Sequence, residues 1–324
     1  MKIAIIGVGA YSVALAKMLS KKCDNIMMWT ESQERYDKYI KDKCIKDVIP
    51  HVSLPSFIKM SLDKRETVNG ASIVVIASAA AFVGEICRDI KYAISNDTII
   101  CIASKGIENR SCRFLSDLAS DILDIKNIAV LSGPSFAIDM VKDNPVGLSI
   151  ASKSSKALRV IKEVLQNDKL KLRESKDLIG IQICGSIKNV IAVASGIIDG
   201  LGYPESTQSF LITESLHDIK ALIKALGGNP KTIMSFAGVG DILLTCTSTK
   251  SRNYSFGQLI GRKEKFDIDE YMENNTVEGY HTLLTIYKLV KKKKIKMPII
   301  DLIYKIVVNH QDPNLLIEFL INKK

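Results

Sequence analysis

An apolar strand and a glycine loop come first in this chain: KIAIIGVGAYS, residues 2 to 12. Residues 2–6 predict a buried strand, and the apolar periodicity over 13–22 predicts the helix that follows. Gly7 and Gly9 permit a tight turn that brings the backbone close to a pyrophosphate, whose charge is met by the helix N-terminus. Ser12 replaces the third glycine of G-x-G-x-x-G and is small enough for close packing. Two glycines alone also suit a structural turn, but their place between strand and helix favours a dinucleotide site.

The rest of the first half repeats this alternation of apolar strands and helices. We predict further strands over 25–29, 72–77, 98–103, 128–131 and 146–151, and further helices over 82–94 and 113–123. Strands that are apolar throughout and separated by helices indicate a parallel sheet covered on both faces. The sequence therefore predicts a doubly wound α/β fold up to about residue 170.

The second half of the chain differs in character. Apolar residues recur at helical spacing over 178–199, 208–226, 282–291 and 298–309, with loops between these segments. No proline- or glycine-rich linker separates the halves, so we place the boundary near residue 175. We predict a dinucleotide-binding domain over residues 1–175 and a mostly helical, substrate-binding domain over residues 176–324.

Composition restricts the class of protein. A chain of 324 residues with 47% hydrophobic content can bury a full core. The net charge of +10 comes from scattered lysines, apart from the run 291–294, and one tryptophan is present for base stacking. We interpret the charge as a solvated surface, with no nucleic-acid partner. Seven cysteines form no C-x-x-C pair and leave an odd one, which favours free thiols in the cytoplasm.

Neither a metal site nor a membrane segment is predicted. The four histidines are far apart and outside any cluster of cysteines or carboxylates: His51, His217, His281 and His310. The glycine loop interrupts the first apolar stretch too early for a signal peptide. No other segment has the roughly 18 unbroken apolar residues that a membrane span requires.

Glu31 follows the second predicted strand, where a carboxylate can accept hydrogen bonds from the adenosine ribose. Its charge would repel a 2′-phosphate, so Glu31 favours NAD over NADP. A glutamate at the exposed start of a helix explains the residue almost as well.

Three more loops follow strands of the predicted sheet: residues 77–79, 104–106 and 132–137. Ligands of open α/β sheets bind beyond the carboxyl ends of the strands, so we expect these loops to meet at one crevice. Lys105, which precedes Gly106, is a candidate contact for an anion or for substrate.

Lys188 lies in a segment that otherwise predicts a buried helix, 181–198. On such a helix the residues that share its face are small: Cys184, Gly185, Ala192 and Ser195. A solvated lysine on an amphipathic helix is the ordinary explanation, because lysine is almost never buried without a partner. A buried ammonium here needs either a function or a route to water.

Polar residues in the second half suit a phosphorylated polyol. Asp241 follows Gly238-Val239-Gly240, Thr245 comes next, and Ser251, Arg252 and Asn253 are consecutive. A guanidinium and an amide can donate to a phosphate, and a carboxylate can orient a group near the reacting oxygen. Taken singly, each residue is explained more simply by a turn or a charged surface.

Together these blocks resemble the bacterial NAD(P)-dependent glycerol-3-phosphate dehydrogenase family. The shared motifs follow the family's order and spacing over nearly the whole chain: residues 105–106, 132–137, 185–190, 200–202, 238–241, 251–253 and 277–279. The resemblance implies an N-terminal Rossmann domain and an all-α C-terminal domain, as in 6-phosphogluconate-dehydrogenase-like folds. It also implies reversible reduction of dihydroxyacetone phosphate to sn-glycerol 3-phosphate for phospholipid synthesis, with NAD or NADP as cofactor.

Carried over position by position, the resemblance assigns roles to individual residues. Lys188 is the catalytic acid/base. The implied substrate contacts are Lys105, Gly133, Lys188, Asp241, Thr245, Ser251, Arg252 and Asn253. The implied cofactor contacts are Gly7, Gly9, Ala10, Tyr11, Ser12, Glu31, Lys105, Ser135, Ala137, Arg252, Thr276 and Glu278. The family usually forms homodimers, and nothing in the resemblance adds a metal or membrane insertion.

Several positions depart from the family pattern. Glu31 stands where a basic residue commonly contacts the 2′-phosphate, which disfavours NADP. Ser78-Ala79 replaces Val-Pro, Gln182 replaces a glutamate, and Glu214-Ser215 replaces Arg-Gly. The last is a charge reversal on a helix near the site that can alter helix packing or a dimer contact. None removes a residue with assigned chemistry, so we expect an active enzyme.

The resemblance leads to a mechanistic hypothesis. A hydride from the nicotinamide attacks the carbonyl carbon, and Lys188 donates a proton to the developing alkoxide. Desolvation and Lys105 lower its pKa, and Asp241 holds it in place. Two other functions stay open. One is a related reductase for a hydroxy acid or ketopantoate, against which Arg252 and Asn253 argue. The other is a non-catalytic NAD-sensing homologue, which Ser78 and Glu214 favour.

Overall fold

The computed structural model describes residues 1–45, 48–50, 52–263 and 268–323, so that His51 lies outside the described residues. The chain divides into two compact units. Unit 1 comprises Met1–Glu108 and Arg113–Leu178, and unit 2 comprises Asn109–Cys112 and Ile179–Lys324. Four residues of the first half thus belong with the second half, where Thr285 Oγ1 donates to Asn109 Oδ1 at 2.9 Å. The predicted domains, divided near residue 175, assigned these four residues to the N-terminal domain.

Unit 1 is built on one sheet, whose eight strands within the described residues are Ile3–Ile6 (β1), Ile26–Trp29 (β2), Lys59–Ser61 (β3), Ile73–Ile76 (β4), Ile99–Ile102 (β5), Ile128–Ser132 (β6), Val146–Ser152 (β7) and Leu170–Ser175 (β8). Their order is β3-β2-β1-β4-β5-β6-β7-β8. The chain adds β2 and β3 on one side of β1 and then crosses back to place β4 on the other side of β1, as in doubly wound folds. The predicted α/β class is confirmed.

The sheet is mixed, which corrects the prediction of a parallel sheet. Strands β1 to β6 pair in parallel, but β7 runs antiparallel to β6, and β8 then pairs in parallel with β7. The connection from β6 to β7 contains only a five-residue helix, Ala137–Val141. At 1.5 Å per residue such a helix is about 8 Å long, so it does not carry the chain back along the sheet.

Two strands were not predicted, and their sequences explain why. β3 has only three residues, too few for a periodic pattern. β8, LKLRES, alternates buried leucines with exposed charged residues, as expected for a strand with one solvated face. The other strands are mostly apolar and at least partly buried on both faces, which is why their apolar runs predicted them.

Helices cover both faces of the sheet in unit 1: Ala10–Leu19 (α1), Gln33–Asp42 (α2), Lys64–Val68 (α3), Val83–Ile90 (α4), Leu115–Leu123 (α5), Ala137–Val141 (α6) and Ser155–Leu165 (α7). Ile3 and Ile5 of β1 pack into one core with α1 and α7, whereas Ala4 and Ile6 are buried on the opposite face. Because every β1 side chain is buried, the loop after β1 starts from a fixed position.

Unit 2 consists of helices: Leu178–Gly200 (α8), Glu205–Ala225 (α9), Asp241–Cys246 (α10), Arg252–Gly261 (α11), Ile268–Asn274 (α12), Glu278–Lys292 (α13), Pro298–Val307 (α14) and Leu315–Asn322 (α15). α8 is long and apolar enough to cross a membrane, with a mean hydropathy of 1.6, yet its apolar window is 100% buried inside the protein. A core helix meets the same criteria, so these values carry no membrane assignment.

Close contact between α8 and α11 fixes the centre of unit 2. A Cβ on Gly196 of α8 would lie 2.0 Å from the Tyr254 carbonyl oxygen. A Cβ on Gly257 of α11 would lie 2.0 Å from the Val193 carbonyl oxygen. Only glycine permits this backbone-to-backbone approach. It holds the first turn of α11, Arg252 and Asn253, in a fixed position relative to the middle of α8.

Candidate active site

The glycine loop of unit 1 has the geometry of an anion-binding turn. Gly7 adopts φ +111°, and a Cβ there would lie 2.9 Å from the Ala77 carbonyl oxygen. Gly9 is the N-cap of α1, and a Cβ on it would meet no heavy atom of the described residues within 4 Å. Ser12 Oγ donates to the Ala77 carbonyl oxygen at 3.2 Å, so it ties α1 to the end of β4.

These residues fit the pyrophosphate of a dinucleotide. The N-cap of α1 is a glycine without a side-chain cap, no acidic residue lies in the first turn, and open space surrounds Gly9. Backbone N–H groups at such a helix end favour a bound phosphate. The cofactor contacts at Gly7, Gly9, Ala10, Tyr11 and Ser12 stay a prediction, with which this helix end is compatible.

Two further loops of unit 1 meet the glycine loop. Lys105, after β5, places Nζ 3.4 Å from the Gly133 carbonyl oxygen and 5.8 Å from the centre of the Tyr11 ring. Ser135 Oγ donates to the same carbonyl at 3.3 Å. Ala137 begins α6 directly beyond. The structure therefore brings together Tyr11, Lys105, Gly133 and Ser135, which the sequence placed in three separate loops.

Glu31 is exposed and lies two residues after the end of β2, with Thr30 between them. The N-cap of α2 is Ser32, whose Oγ accepts a hydrogen bond from the Arg35 backbone N–H at 3.3 Å. Glu31 thus precedes the helix, and Glu34 is the acidic residue of the first turn. Compensation of the helix dipole, which falls off within the first turn, explains Glu34 better than Glu31.

Lys188 in unit 2 is a buried ammonium with two partners. Only 9% of its side chain is exposed, and Nζ lies 2.7 Å from Asp241 Oδ1. Nζ also donates to Thr245 Oγ1 at 3.0 Å, while that hydroxyl donates to the Asp241 carbonyl oxygen at 2.6 Å. The Asp241 side chain is 1% exposed. Lys188 is therefore not a solvated surface lysine, and Thr245 presents its acceptor side to the ammonium.

A tight turn positions Asp241. Residues Phe236–Gly240 form a kinked turn, in which the backbone of Gly238 is not helical (φ −86°, ψ −112°). The Ser235 hydroxyl accepts a hydrogen bond from the Gly238 N–H at 3.2 Å. A Cβ on Gly238 would lie 2.0 Å from the Ile233 carbonyl oxygen, so the turn requires glycine. Asp241 then begins α10, with its carboxylate directed at α8.

A second cluster joins α8, α11 and α13 next to Lys188. Asn253 Oδ1 accepts a hydrogen bond from the Gly279 N–H at 2.8 Å, and Asn189 Nδ2 donates to Glu278 Oε2 at 3.1 Å. Asn189 was not predicted as a site residue, although it directly follows Lys188 in a motif that was quoted. Because Oδ1 of Asn253 is bound, its Nδ2 donor is the group suited to a phosphate.

The remaining predicted residues lie at helix ends. Ser251 is the N-cap of α11 and its Oγ accepts a hydrogen bond from the Tyr254 N–H at 3.3 Å. Arg252 is the exposed first residue of that helix. Thr276 is exposed and lies just before α13. Their roles as ligand contacts stay predictions.

Comparison with known proteins places the chain in a family. The family model described as NAD-dependent glycerol-3-phosphate dehydrogenase N-terminus matches residues 2–158, and the corresponding C-terminus model matches residues 177–318. The chain belongs to this family. The resemblance inferred from separate motifs is thus confirmed, and the fold and the class of enzyme with it.

Individual members of the glycerol-3-phosphate dehydrogenase family match over nearly their full length. A Bacillus velezensis protein named glycerol-3-phosphate dehydrogenase (NAD(P)+) is 34% identical over 322 residues, covering 98% of this chain and 93% of its own. A Staphylococcus haemolyticus protein of the same name is 33% identical over 313 residues, covering 94% and 93%. The crystal structure of glycerol-3-phosphate dehydrogenase from Coxiella burnetii superposes with a TM-score of 0.93 at 28% identity, covering 99% of each chain.

Glu214, the charge reversal noted in the sequence, forms an ion pair in this chain. Lys323, at the end of α15, lies 3.2 Å from Glu214 Oε2 and 2.9 Å from Asp218 Oδ1. Ser215 is fully buried and its hydroxyl donates to the Leu211 carbonyl oxygen at 2.7 Å. The departure therefore creates an ion pair between α9 and the last residues of α15. It leaves the Lys188 cluster intact.

The described residues show neither a metal-binding cluster nor an activated thiol beside Lys188. Within the described residues, no group of three or more histidine, cysteine, aspartate or glutamate side chains has metal-binding geometry. The Cys246 thiol is buried next to Lys188, and desolvation raises its pKa well above the ordinary value. A thiol in that state is a poor nucleophile, so we assign it no covalent chemistry.

Proposed function

We propose that this chain catalyses the reversible NAD(P)H-dependent reduction of dihydroxyacetone phosphate to sn-glycerol 3-phosphate. Its family membership makes it an NAD(P)-dependent oxidoreductase. The product of the proposed reaction, sn-glycerol 3-phosphate, is a backbone precursor for phospholipid synthesis. The observation that carries the proposal is the buried Lys188, held by Asp241 and Thr245. A buried ammonium at 2.7 Å from a carboxylate is a group positioned to exchange a proton. Neither a ketopantoate reductase nor a non-catalytic sensor is supported by the family match.

Each unit contributes its own part to the proposed reaction. When bound, the nicotinamide supplies a hydride for the carbonyl carbon of the substrate. Gly7, Gly9 and the first turn of α1 would hold the pyrophosphate, and Arg252 and Asn253 the substrate phosphate. Lys188 Nζ gives a proton to the carbonyl oxygen in reduction and takes it back in oxidation. Asp241 and Thr245 keep Nζ in one position in both directions.

The test is the Lys188→Ala variant, assayed by NADH oxidation with dihydroxyacetone phosphate. General acid catalysis contributes roughly 10²–10⁴ in rate, so we expect a fall in kcat of that size. Lys220→Ala, an exposed lysine on α9, is the matched control and should keep parental turnover. Circular dichroism establishes that both variants are folded. Turnover of the Lys188 variant within a few-fold of the parent would show the assignment to be wrong, and ketopantoate as the better substrate would favour the rival reductase.

We further propose that NAD is preferred over NADP. Support comes from the exposed carboxylate of Glu31, which lies two residues after the end of β2 and directly precedes the helix cap Ser32. A carboxylate there accepts hydrogen bonds from ribose hydroxyls and repels a 2′-phosphate. Glu31→Arg is expected to tighten NADPH binding and weaken NADH binding, measured by fluorescence titration of each cofactor. Glu34→Arg, three residues further along the same chain segment, is the matched control. Equal preference in the parent and in Glu31→Arg would show that Glu31 does not contact the ribose.

The chain is proposed to act as a homodimer in the cytoplasm. The seven cysteines are free thiols in the structure, which suits a reducing compartment. Dimer formation rests on resemblance to the family, and Glu214-Ser215 is the departure from the family pattern that can alter a dimer contact. Sedimentation velocity of the purified protein at several concentrations measures the oligomeric state. A single species at the mass of the 324-residue monomer would contradict the dimer.

A further inference from the structure

Two additional hydrogen bonds join the helices that carry the Lys188 pair. Ser195 lies two turns after Lys188 on the same face of α8, and its Oγ donates to the Cys246 carbonyl oxygen at 2.7 Å. The Cys246 Sγ lies 3.9 Å from the Lys188 carbonyl oxygen and forms a weak S–H donor contact with it. α8 and α10 are therefore connected by the ammonium of Lys188 and also by contacts that carry no charge.

The Ser195 hydroxyl satisfies a group that the fold would otherwise bury alone. Cys246 is the last residue of α10, and carbonyls at a helix C-terminus have no partner within the helix. Ser195 and Cys246 are both fully buried, so water does not replace the bond. The nearest alternative acceptor for Ser195 is Gln208 Oε1 at 3.5 Å, which is much longer than the 2.7 Å to Cys246. The carbonyl of Cys246 is therefore the acceptor.

α10 is held against α8 at both of its ends. Asp241, its first residue, contacts Lys188 through a charge, whereas Cys246, its last residue, contacts Ser195 through a neutral hydrogen bond. In the proposed reaction Lys188 loses its proton, and the attraction between Nζ and the Asp241 carboxylate weakens at that moment. A neutral hydrogen bond does not depend on the charge of Lys188. The Ser195 bond therefore persists in both protonation states, and it is shorter than the other uncharged contact between these helices, from Cys246 Sγ to the Lys188 carbonyl oxygen.

We propose that Ser195 is a positioning residue, which fixes the C-terminal end of α10 so that Asp241 and Thr245 stay in register with Lys188 throughout the proton transfer. This inference rests on the proposed function of Lys188. Ser195 itself contacts neither substrate nor cofactor in this account, and it acts through Cys246 and α10.

The test compares Ser195→Ala with Ser215→Ala. Both serines are fully buried, and both hydroxyls donate to a carbonyl oxygen at 2.7 Å, but Ser215 bonds to Leu211 within its own helix. The two changes therefore remove the same group from similar surroundings. Misplacement of a reacting group by about 1 Å costs roughly 100-fold in rate, so Ser195→Ala should lower kcat by roughly tenfold to 100-fold. The KM for dihydroxyacetone phosphate should stay within about twofold, because the phosphate contacts lie on α11. Ser215→Ala should keep the parental kcat.

A conservative variant separates positioning from general destabilisation. Ser195→Cys keeps nearly the same volume and a weaker donor, so its kcat should lie between those of the parent and Ser195→Ala. This variant also serves if Ser195→Ala does not fold. A kcat for Ser195→Ala equal to that of Ser215→Ala, or a kcat for Ser195→Cys no higher than that of Ser195→Ala, overturns the proposal. These outcomes are distinct from failure of the proposed function, in which Lys188→Ala itself would retain activity.

Discussion

The candidate sites in the two units are built in different ways. In unit 1 the predicted cofactor residues lie in short loops directly after strands, and Gly7, Gly9 and Gly133 provide backbone turns. In unit 2 Lys188 and Asp241 meet through side chains from helices 53 residues apart in the chain. Local chain geometry determines the first arrangement, and tertiary packing determines the second. We therefore expect substitutions in the unit 1 loops to cost less stability than substitutions in the Lys188 cluster, and those made where the loop has open space to alter ligand binding at little cost in stability.

Asp241→Ala tests the second part of this comparison and has the largest expected effect. It leaves the Lys188 ammonium buried without its carboxylate, and removing one partner of a buried pair costs about 3–5 kcal/mol in the free energy of unfolding. Urea denaturation monitored by circular dichroism measures this loss. The double variant Lys188→Met with Asp241→Leu removes both charges and should recover most of the stability, because no unpaired charge is left. A loss below about 1 kcal/mol for Asp241→Ala, as for a surface pair, would contradict the buried arrangement.

Two alanine substitutions in the glycine loop test the first part. Gly7→Ala forces a Cβ into a residue at φ +111°, 2.9 Å from the Ala77 carbonyl oxygen, so we expect a loss of about 1–3 kcal/mol in stability. Gly9→Ala has no such clash, since its φ is −87° and the space beside it is open. It should lose at most about 1 kcal/mol as a poorer N-cap.

Cofactor affinity should separate the same two variants. A Cβ on Gly9 lies where a pyrophosphate would approach the backbone, so Gly9→Ala should raise the Kd for NADH roughly tenfold, or about 1.4 kcal/mol. Fluorescence titration gives the Kd, and urea denaturation gives the stability of each variant. If Gly9→Ala binds NADH as tightly as the parent, the loop serves as a structural turn and the cofactor lies elsewhere.

The difference between the units also explains what the sequence could predict. Strand, glycine loop and helix follow one another in residues 2–19, so a local pattern sufficed for the first part of the fold and for the cofactor loop. The direction of β7 could not be predicted in this way. Its residues, VGLSIAS, are mostly buried like those of the parallel strands, and the short α6 that precedes it has no distinctive pattern.

The Lys188 cluster depended on information from beyond the local pattern. Helical spacing placed Ser195 on the face of Lys188, but it did not identify Asp241 or Cys246 as partners. Asp241 stood out as a carboxylate after glycines, but its place beside Lys188 was implied only by the resemblance to a family. Asn189 and Ser195 were not assigned roles, since the acceptors Glu278 Oε2 and the Cys246 carbonyl become neighbours only when the helices pack.

Burial, rather than chemistry alone, sets the strength of the ion pairs in unit 2. The side chains of Lys188 and Asp241 are 9% and 1% exposed, whereas those of Lys323 and Glu214 are 16% and 29% exposed. Lys323 also retains Asp218 Oδ1 at 2.9 Å if Glu214 is lost. We therefore expect Glu214→Ala to lower the free energy of unfolding by at most about 1 kcal/mol and to leave kcat unchanged.

Glu214→Arg tests whether the interaction between residues 214 and 323 changes from attraction to repulsion. It restores the basic residue that the family typically has, yet in this chain the guanidinium would face Lys323 at the end of α15. Repulsion between like charges should then destabilise the protein by about 1 kcal/mol, and added salt should reduce the loss because the pair is partly exposed. Lys323→Glu in the same chain should reverse the effect by pairing with the new arginine. A double-mutant cycle from urea denaturation measures the coupling. If Glu214→Arg is as stable as the parent, residue 323 does not compensate the charge reversal, and another contact must account for it.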